Sequence, residues 1–174
     1  ASSSSIGAEF CENEKVRKLS FTGSTEVGRI LMRQASDQIK KLSLELGGNA
    51  PFIVFEDADI DAAVEGAILS KFRNAGQTCV CTNRIYAHDS IYEAFVEKLA
   101  NAVTNLKIGD GLAAETKIGP LIDNAAVEKV EEHVADALSK GATLVVGGQK
   151  DDRGGRFFRP TVLRDVSQDM AVLM

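Results

Sequence analysis

KFRNAGQTCVC, residues 71–81, is a polar turn that lies between two apolar segments and holds two of the chain's three cysteines. A glycine, amides and a hydroxyl stand close to Cys79, and the cation of Arg73 lies six positions upstream. Such neighbours stabilise a thiolate or an oxyanion through hydrogen bonds and charge. The residues alone leave two interpretations open: a reactive thiol, or a loop cysteine that only packs or sits idle.

The segment just before this turn predicts a helix. Asp57 and Asp59 are good N-cap residues, and the apolar residues after them recur at the three- and four-residue intervals of one helix face. These residues are Ile60, Ala63, Val64, Ala67, Ile68 and Phe72. Ahead of the helix, residues 51–55 (PFIVF) form a continuous apolar run, which predicts a strand buried on both faces of a parallel sheet.

A strand, a turn, a helix and a second strand are expected nearer the N terminus. Residues 18–22 and 41–46 alternate polar with apolar side chains, which is the period of a strand. Between them, Gly23 and Ser24 form a turn, and residues 25–39 show a helical pattern.

A strand and a capped helix are expected directly after the cysteine turn. Residues 84–88 alternate as a strand does, and Ser90 with Glu93 has the spacing of a capping box. The helix that this box would begin runs to about Leu106.

A third amphipathic helix is predicted over residues 124–140, followed by extended segments at 143–146 and 157–163. Its expected buried face is made of Val127, Val130, Val134 and Leu138. Strands that alternate with amphipathic helices predict an α/β fold with a largely parallel sheet.

Composition and charge limit the classes of partner. The chain has 174 residues, enough for one domain or parts of two, and a formal net charge of −5. No dense block of Lys and Arg is present to neutralise phosphates, so a nucleic-acid partner is not expected. No apolar run approaches the length that spans a membrane, so a membrane partner is not expected either. The serines of residues 2–5 are expected to form a flexible leading segment.

The cysteines indicate a reducing compartment. Three is an odd number, and only Cys79 and Cys81 are close in sequence, which argues against a secreted disulfide framework. The cytoplasm, or the mitochondrial matrix in a eukaryote, is therefore the expected location. Neither His88 nor His133 has a metal-ligand spacing to a cysteine, so no metal is expected.

Three short motifs stand in order along the chain: FTGSTEVG at residues 21–28, LELGGN at 44–49 and GQTC at 76–79. The glycine and serine of the first could bind phosphate at a helix N terminus or only pack. Glu45, in the second, could be a half-buried carboxylate or a strand-end residue on the solvent face.

Together and in this order, the motifs closely resemble those of the aldehyde dehydrogenase superfamily. In that superfamily a glutamate in LELGG precedes a cysteine in GQ-x-C by about the 34 residues that separate Glu45 from Cys79. The longer string KFRNAGQTCVC is similar to the succinate-semialdehyde dehydrogenase branch. The resemblance covers the chain from about Ile6 onward and implies a partial aldehyde dehydrogenase fold.

The resemblance implies a catalytic pair. Cys79 would be the nucleophile that attacks the aldehyde carbon, so that oxidation passes through a thiohemiacetal and a thioester. The backbone N–H of Cys79 would donate to the developing oxyanion. Glu45 would be the general base that activates the thiol or the hydrolytic water.

The resemblance also implies a dinucleotide cofactor, either NAD or NADP. Gly23 and Ser24 would contact its pyrophosphate, and Leu46 would lie near the nicotinamide. Gly28 belongs to the same motif, although close helix packing is the alternative role that its position favours.

Arg73 and Cys81 carry two further expectations. A guanidinium can bind a carboxylate bidentately, which suits an aldehyde substrate with an acid at its other end; the alternative is that Arg73 caps the preceding helix. The Cα atoms of Cys79 and Cys81 would be about 6.6 to 7.2 Å apart in extended backbone, close to the limit for a disulfide. A reversible redox switch and a purely structural thiol both remain open for Cys81.

Residues 1–46 are interpreted as the end of a dinucleotide-binding domain and residues 47–174 as the first part of a catalytic domain. The apolar end of the sequence predicts an incomplete chain, and the complete enzyme is expected to be a homo-oligomer. The alternative is a non-catalytic α/β module that keeps a reactive thiol. A cysteine hydrolase is less favoured because no histidine is placed to act as its base.

Overall fold

The computed structural model describes residues 2–173. The chain forms two compact units, the first ending at Gly48 and the second beginning at Asn49. The division at residue 46 into cofactor and catalytic domains stays a prediction about the complete polypeptide.

The first unit is a parallel strand pair with two helices. Its elements are α1 (Ser3–Glu12), β1 (Lys18–Thr22), α2 (Thr25–Ser36) and β2 (Lys41–Glu45). Strands β1 and β2 run parallel, in agreement with the largely parallel sheet that the alternation of strands and helices predicted. The buried side chains of Cys11, Leu19, Leu31 and Ala35 form the core of this unit. Helix α2 ends at Ser36, three residues before the predicted end, and Ile39 has a left-handed φ of 51°.

The serine-rich start is helical, which contradicts the expected flexible segment. Ser2 is the N-cap of α1, and its Oγ accepts a hydrogen bond from the N–H of Ser5 at 3.2 Å. Serine is among the best N-cap residues. Cys11, which is buried beneath Leu31, anchors the other end of this helix.

The second unit contains the remaining strands and helices. They are β3 (Ala50–Val54), α3 (Ile60–Phe72), β4 (Thr82–Ala87), α4 (Tyr92–Thr104), α5 (Asn124–Ser139), β5 (Thr143–Val146) and β6 (Val162–Arg164). Strands β3 and β4 pair in parallel, whereas β5 and β6 pair antiparallel. The described strands thus form three two-stranded sheets, two of them parallel. The α/β class is confirmed, but one large parallel sheet is not present in residues 2–173.

The α3 prediction is confirmed in both its cap and its buried face. The Asp59 carboxylate accepts hydrogen bonds from the N–H groups of Asp61 and Ala62. Val64 and Ala67 are buried in the main core, and the other four residues of the predicted face pack against it. Helix α4 supplies the opposing side chains of this core, Phe95, Leu99 and Val103.

The β3 prediction is wrong about burial. Val54 is buried, but Ile53 is 59% exposed and Phe55 is 65% exposed. The inward side chains of β3 face α3 and α4, while nothing in residues 49–173 covers the outward ones. The apolar run indicated a strand but not which faces other elements cover.

The predicted capping box is also wrong. A short 3₁₀ turn, Asp89–Ile91, precedes α4, and the ring of His88 accepts a hydrogen bond from the N–H of Ser90. Glu93 is directed instead to Arg164, whose guanidinium binds its carboxylate at two points. The two-point bond pairs the carboxylate with a cation, whereas a capping box would pair it with one neutral N–H.

The C-terminal part differs from the expectation in two details. Leu138 is 40% exposed, and Ala137 is fully buried in its place, because the chain turns back and donates the N–H of Ala142 to the Ala137 carbonyl. The extended segment at 157–163 narrows to strand β6, since Pro160 has no N–H for a ladder. None of the helices described over residues 2–173 is long and apolar enough to cross a membrane.

Candidate active site

The loop after α3 begins with a left-handed backbone. Asn74 has φ 53° and ψ 37°, Ala75 has φ 55° and ψ 31°, and Gly76 has φ 78°. Glycine adopts this region freely, but each of the other two residues is held there at a cost of about 1 to 3 kcal/mol. Strained backbone of this kind persists only where the surrounding structure imposes it, and it clusters at functional sites.

Hydrogen bonds between Asn74 and Gln77 close this turn. The main-chain N–H of Gln77 donates to the Asn74 carbonyl at 3.1 Å, and the side-chain amide of Gln77 donates to the same oxygen at 3.2 Å. The Asn74 amide in turn donates to the Gln77 carbonyl at 3.2 Å. These two side chains therefore hold the chain reversal in place.

Two contacts join the tip of this turn to a distant part of the second unit. The Gln77 Oε1 accepts a hydrogen bond from the N–H of Ile122 at 2.8 Å. The methyl group of Ala75 packs against the buried cluster of Leu121, Val127 and Phe158. This role of Gln77 has no local sequence signal, because its partner lies 45 residues away.

Cys79 is presented to solvent by a second, tighter turn. The N–H of Cys81 donates to the Thr78 carbonyl at 3.0 Å, and Cys79 is exposed between them. The backbone N–H of Cys79 donates to no acceptor within residues 2–173. A free N–H beside an exposed thiol can stabilise negative charge on an oxygen bound at that thiol.

Cys81 has the opposite environment. Only 1% of it is exposed, and its Sγ lies 3.9 Å from the Arg73 carbonyl oxygen. Cys11, Cys79 and Cys81 are all free thiols.

Arg73 is the C-cap residue of α3, with an extended backbone of φ −56° and ψ 132°. Across residues 2–173, this guanidinium forms neither a hydrogen bond nor an ion pair, and the residue is exposed. The alternative in which it caps the last carbonyls of α3 is not observed among these residues.

Lys71 lies on the inner side of the same loop. Its Nζ donates to the Asn83 Oδ1 at 2.6 Å, a contact between the last turn of α3 and the start of β4. Burial lowers the pKa of the Lys71 ammonium, and attraction to Cys81 opposes this shift only in part. No role was predicted for Lys71 or Asn83 from the sequence, because their contact forms only on folding.

Glu45 and the other predicted residues before it lie together in the first unit. Glu45 ends β2, where its side chain is exposed and its carbonyl oxygen accepts a hydrogen bond from the Gly23 N–H at 3.0 Å. Of the two interpretations offered for Glu45, the structure shows the solvent-facing one. The carboxyl ends of β1 and β2 therefore meet at the Gly23 turn.

The turn leads into the N terminus of α2. Ser24 is the N-cap, and its Oγ accepts a hydrogen bond from the Val27 N–H at 3.2 Å. Gly23 and Ser24 are exposed, and exposed small residues at a helix N terminus favour a bound phosphate. A nicotinamide dinucleotide therefore fits the residues present at this turn.

Gly28 has a packing role inside the first unit. A Cβ added to it would lie 2.7 Å from Leu46 Cδ2, which is closer than side chains approach each other. Gly28 is buried, so the glycine allows Leu46 to pack directly on α2. This is the packing alternative that the sequence left open.

Comparison with known proteins gives one family for the whole chain. The family model described as the aldehyde dehydrogenase family matches residues 1–174. The chain is 63% identical over 171 residues to an NADP(+) succinate-semialdehyde dehydrogenase of Escherichia coli, covering 98% of this chain and 36% of the relative. It is 61% identical to a glutarate-semialdehyde dehydrogenase of Pseudomonas aeruginosa and 60% identical to a 3-sulfolactaldehyde dehydrogenase of Pseudomonas putida. Both of these matches cover 98% of the chain and 35% of the relative.

Solved structures agree with the family model. The crystal structure of an NADP-dependent enzyme of E. coli is 62% identical, with a TM-score of 0.96 over 99% of this chain and 36% of that one. A succinate-semialdehyde dehydrogenase from Burkholderia pseudomallei gives a TM-score of 0.96 at 60% identity, over 99% of this chain and 36% of that one. The chain thus spans about a third of the length of these relatives.

Proposed function

This chain belongs to the aldehyde dehydrogenase family, and we propose that it is the part of an NAD(P)-dependent aldehyde dehydrogenase that carries the nucleophile. The observation that carries the proposal is the exposed Cys79 thiol, with a free backbone N–H, on a loop held in a strained conformation. The complete polypeptide would oxidise an aldehyde to a carboxylic acid.

Cys79 begins the reaction. Its thiolate attacks the aldehyde carbon, a C–S bond forms, and the carbonyl oxygen becomes an oxyanion in a thiohemiacetal. The Cys79 N–H, which has no acceptor within residues 2–173, donates to that oxygen. NAD or NADP, when bound, supplies the acceptor for the hydride that leaves this carbon.

Glu45 completes the reaction in this proposal. Loss of the hydride leaves an acyl thioester on Cys79, which water must hydrolyse to release the acid and the thiol. The exposed Glu45 carboxylate removes a proton from that water as a general base. The two residues belong to different compact units of the chain, so the complete polypeptide is needed to test the pair.

The cofactor would be held by the turn between β1 and α2. Gly23 and Ser24 contact the pyrophosphate at the α2 N terminus, where the helix dipole favours negative charge. Leu46, which packs on Gly28, would lie near the nicotinamide. A larger residue at position 28 would displace Leu46. It would therefore disturb both the packing of Leu46 on α2 and its proposed place near the nicotinamide.

Arg73 would select the substrate. The three relatives named above act on succinate semialdehyde, glutarate semialdehyde and 3-sulfolactaldehyde, and each of these aldehydes carries an anionic group at its other end. The guanidinium of Arg73, which has no partner among residues 2–173, is suited to bind such a group at two points. We therefore propose an aldehyde with a distal carboxylate as substrate, and oxidation of succinate semialdehyde to succinate as the reaction.

The experiment uses the complete polypeptide that contains this sequence. Cys79→Ser should abolish cofactor reduction with any aldehyde. Arg73→Ala should raise KM for succinate semialdehyde by about 10- to 100-fold, the value of a hydrogen bond to a charged group, and leave KM for hexanal nearly unchanged. Lys129→Ala, which removes an exposed positive charge on α5, is the control. Equal losses on both aldehydes would remove Arg73 from the proposal.

The free state of all three thiols supports a reducing compartment. We propose the cytoplasm, or the mitochondrial matrix in a eukaryote, as the location of the complete enzyme.

A further inference from the structure

Three contacts join the two ends of the loop that carries Cys79. In order, they link Ser70 with Thr82, Lys71 with Asn83, and the Arg73 carbonyl with the Cys81 thiol. The first two span 12 residues each and the third spans 8. Together they connect the last turn of α3 to β4 beneath the exposed thiol.

The hydrogen bond between Lys71 and Asn83 is expected to be the strongest of the three contacts. The ammonium donates to a neutral amide oxygen at 2.6 Å, and a hydrogen bond with a charged donor is about twice as strong as a neutral one. Lys71 is half-buried and Asn83 is exposed, so the bond lies at the surface of the loop. Loss of either partner would leave the other without this bond.

Lys71 also occupies the inside of the left-handed turn. A Cβ added to Gly76 would lie 3.2 Å from the Lys71 Nζ, 3.4 Å from its Cε and 3.4 Å from its carbonyl oxygen. The end of the lysine side chain therefore lies where a side chain at Gly76 would stand, beside the third of the three left-handed residues. A shorter or absent side chain at position 71 would remove the support of a backbone that is strained at Asn74 and Ala75.

We infer that Lys71 is a positioning residue, which holds the Cys79 loop in its reactive geometry through its bond to Asn83 and its contact with Gly76. The inference rests on the proposed function of Cys79 as the nucleophile. The Lys71 side chain itself does not take part in the chemistry. It acts through the backbone of residues 74–81.

The expected effect lies in kcat. A nucleophile must approach the carbonyl carbon to about 3 to 3.5 Å along a defined direction, and a displacement of about 1 Å costs about 100-fold in rate. Substrate held by Arg73 would still bind, because Arg73 belongs to the end of α3 and not to the loop tip. Loosening the loop should therefore lower kcat while KM changes little.

The first test is Lys71→Met in the complete polypeptide, which keeps the length of the side chain and removes the ammonium. We expect kcat for succinate semialdehyde to fall by about 10- to 100-fold, with KM changed by less than about threefold. Hydrogen exchange of the peptide that contains residues 73–82 should become about tenfold faster. Lys98→Met is the matched control, because Lys98 joins α4 to Asp61 at 2.5 Å, outside the cysteine loop.

The second test approaches the same bond from its other end. Asn83→Leu removes the acceptor and should reproduce both effects, whereas Asn83→Asp keeps an acceptor and should retain kcat within about threefold of the original protein. The double variant Lys71→Met with Asn83→Leu should be no slower than the worse single variant, because both changes break one contact. If Lys71→Met does not fold, the two Asn83 variants still decide the question.

Three outcomes would overturn the inference. They are a kcat for Lys71→Met equal to that of Lys98→Met, a fall in kcat without faster exchange in residues 73–82, and an Asn83→Asp variant as slow as Asn83→Leu. Hydrogen exchange does not depend on turnover. If the unmodified polypeptide oxidises no aldehyde, the proposed function fails while the exchange result still tests the role of Lys71.

Discussion

The guanidinium of Arg164 binds the carboxylate of Glu93 at two points, with Nη1 2.9 Å from Oε2 and Nη2 2.6 Å from Oε1. The same guanidinium lies 5.0 Å from the centre of the Tyr92 ring, where a cation and an aromatic face attract each other. The pair joins α4 to β6 across 71 residues of sequence. It therefore fixes the antiparallel β5–β6 pair against the core built on α4.

A double-mutant cycle tests this pair. Arg164→Lys keeps the charge but removes the two-point geometry, and Glu93→Gln removes the carboxylate. Each variant should lower the thermal unfolding midpoint by a few degrees, and the double variant should lower it by less than the sum of the two. Additive effects, measured by circular dichroism on the complete polypeptide, would show that the two side chains act independently.

Gly147 is expected to be the glycine that tolerates replacement least. It has φ 79°, and a Cβ added to it would collide with the Pro160 carbonyl oxygen. Gly154 has a similar φ of 71° but open space around it. Gly154→Ala should therefore cost only the backbone strain, about 1 to 2 kcal/mol, and Gly147→Ala distinctly more. Chemical denaturation of both variants gives the comparison, and equal losses would contradict the collision.

The carboxylate of Asp136 should stabilise the fold down to about pH 4. A hydrogen bond from the Ala171 N–H at 2.7 Å, together with Lys140 at 2.7 Å, holds the pKa of Asp136 below its ordinary value. A folded pKa below the unfolded one gives stability that is complete above about pH 4 and is lost as the pH falls through the folded value.

Asp136→Asn should therefore lower the unfolding midpoint at pH 7 and at pH 5 by similar amounts, and by less at pH 3. Glu128→Gln, an exposed position on the same helix, is the control for a change of charge. An Asp136→Asn difference at pH 3 as large as that at pH 7 would contradict the assignment.

Cys79 and Cys81 should form a reversible disulfide under mild oxidation. One peroxide oxidises the two thiols to a disulfide and two waters, and the exposed Cys79 would react first. Activity should fall as Cys79 is oxidised, because Cys79 is the proposed nucleophile. Because Cys81 is buried, its linkage to Cys79 requires the turn at Thr78 to open and should form more slowly than activity falls.

Peptide mass spectrometry with activity measurements checks this pair. Linked peptides that disappear with dithiothreitol, while activity returns, are the expected result. A Cys81→Ser variant should lose this recovery because Cys79 then oxidises further. Activity that falls without any linkage between the two residues would refute the switch.

The sequence predicted the elements whose signals are local. Helix α3 has an N-cap at Asp59 and a regular apolar period, and both are observed as expected. The capping box at Ser90 was wrong because the partner of Glu93 lies 71 residues away. The exposure of Ile53 could not be predicted either, since it depends on which elements cover a sheet face and not on the strand itself.

The candidate site shows the same limit. Local motifs predicted Cys79 as the candidate nucleophile, and the structure places it on an exposed turn. The left-handed conformation of Ala75 has no sequence signal, because alanine rarely adopts it, whereas Asn74 is of a residue type that does. The bond from Lys71 to Asn83 connects two elements that are adjacent only after folding.

The strained turn also restricts which residues position 75 can accept. A β-branched side chain would be far more strained at a φ of 55° than alanine is. Glycine would relieve the strain but would remove the methyl group that packs against Leu121 and Phe158. A substitution that stabilises the fold at this position would therefore loosen the loop, so stability and activity cannot be improved together by changing Ala75.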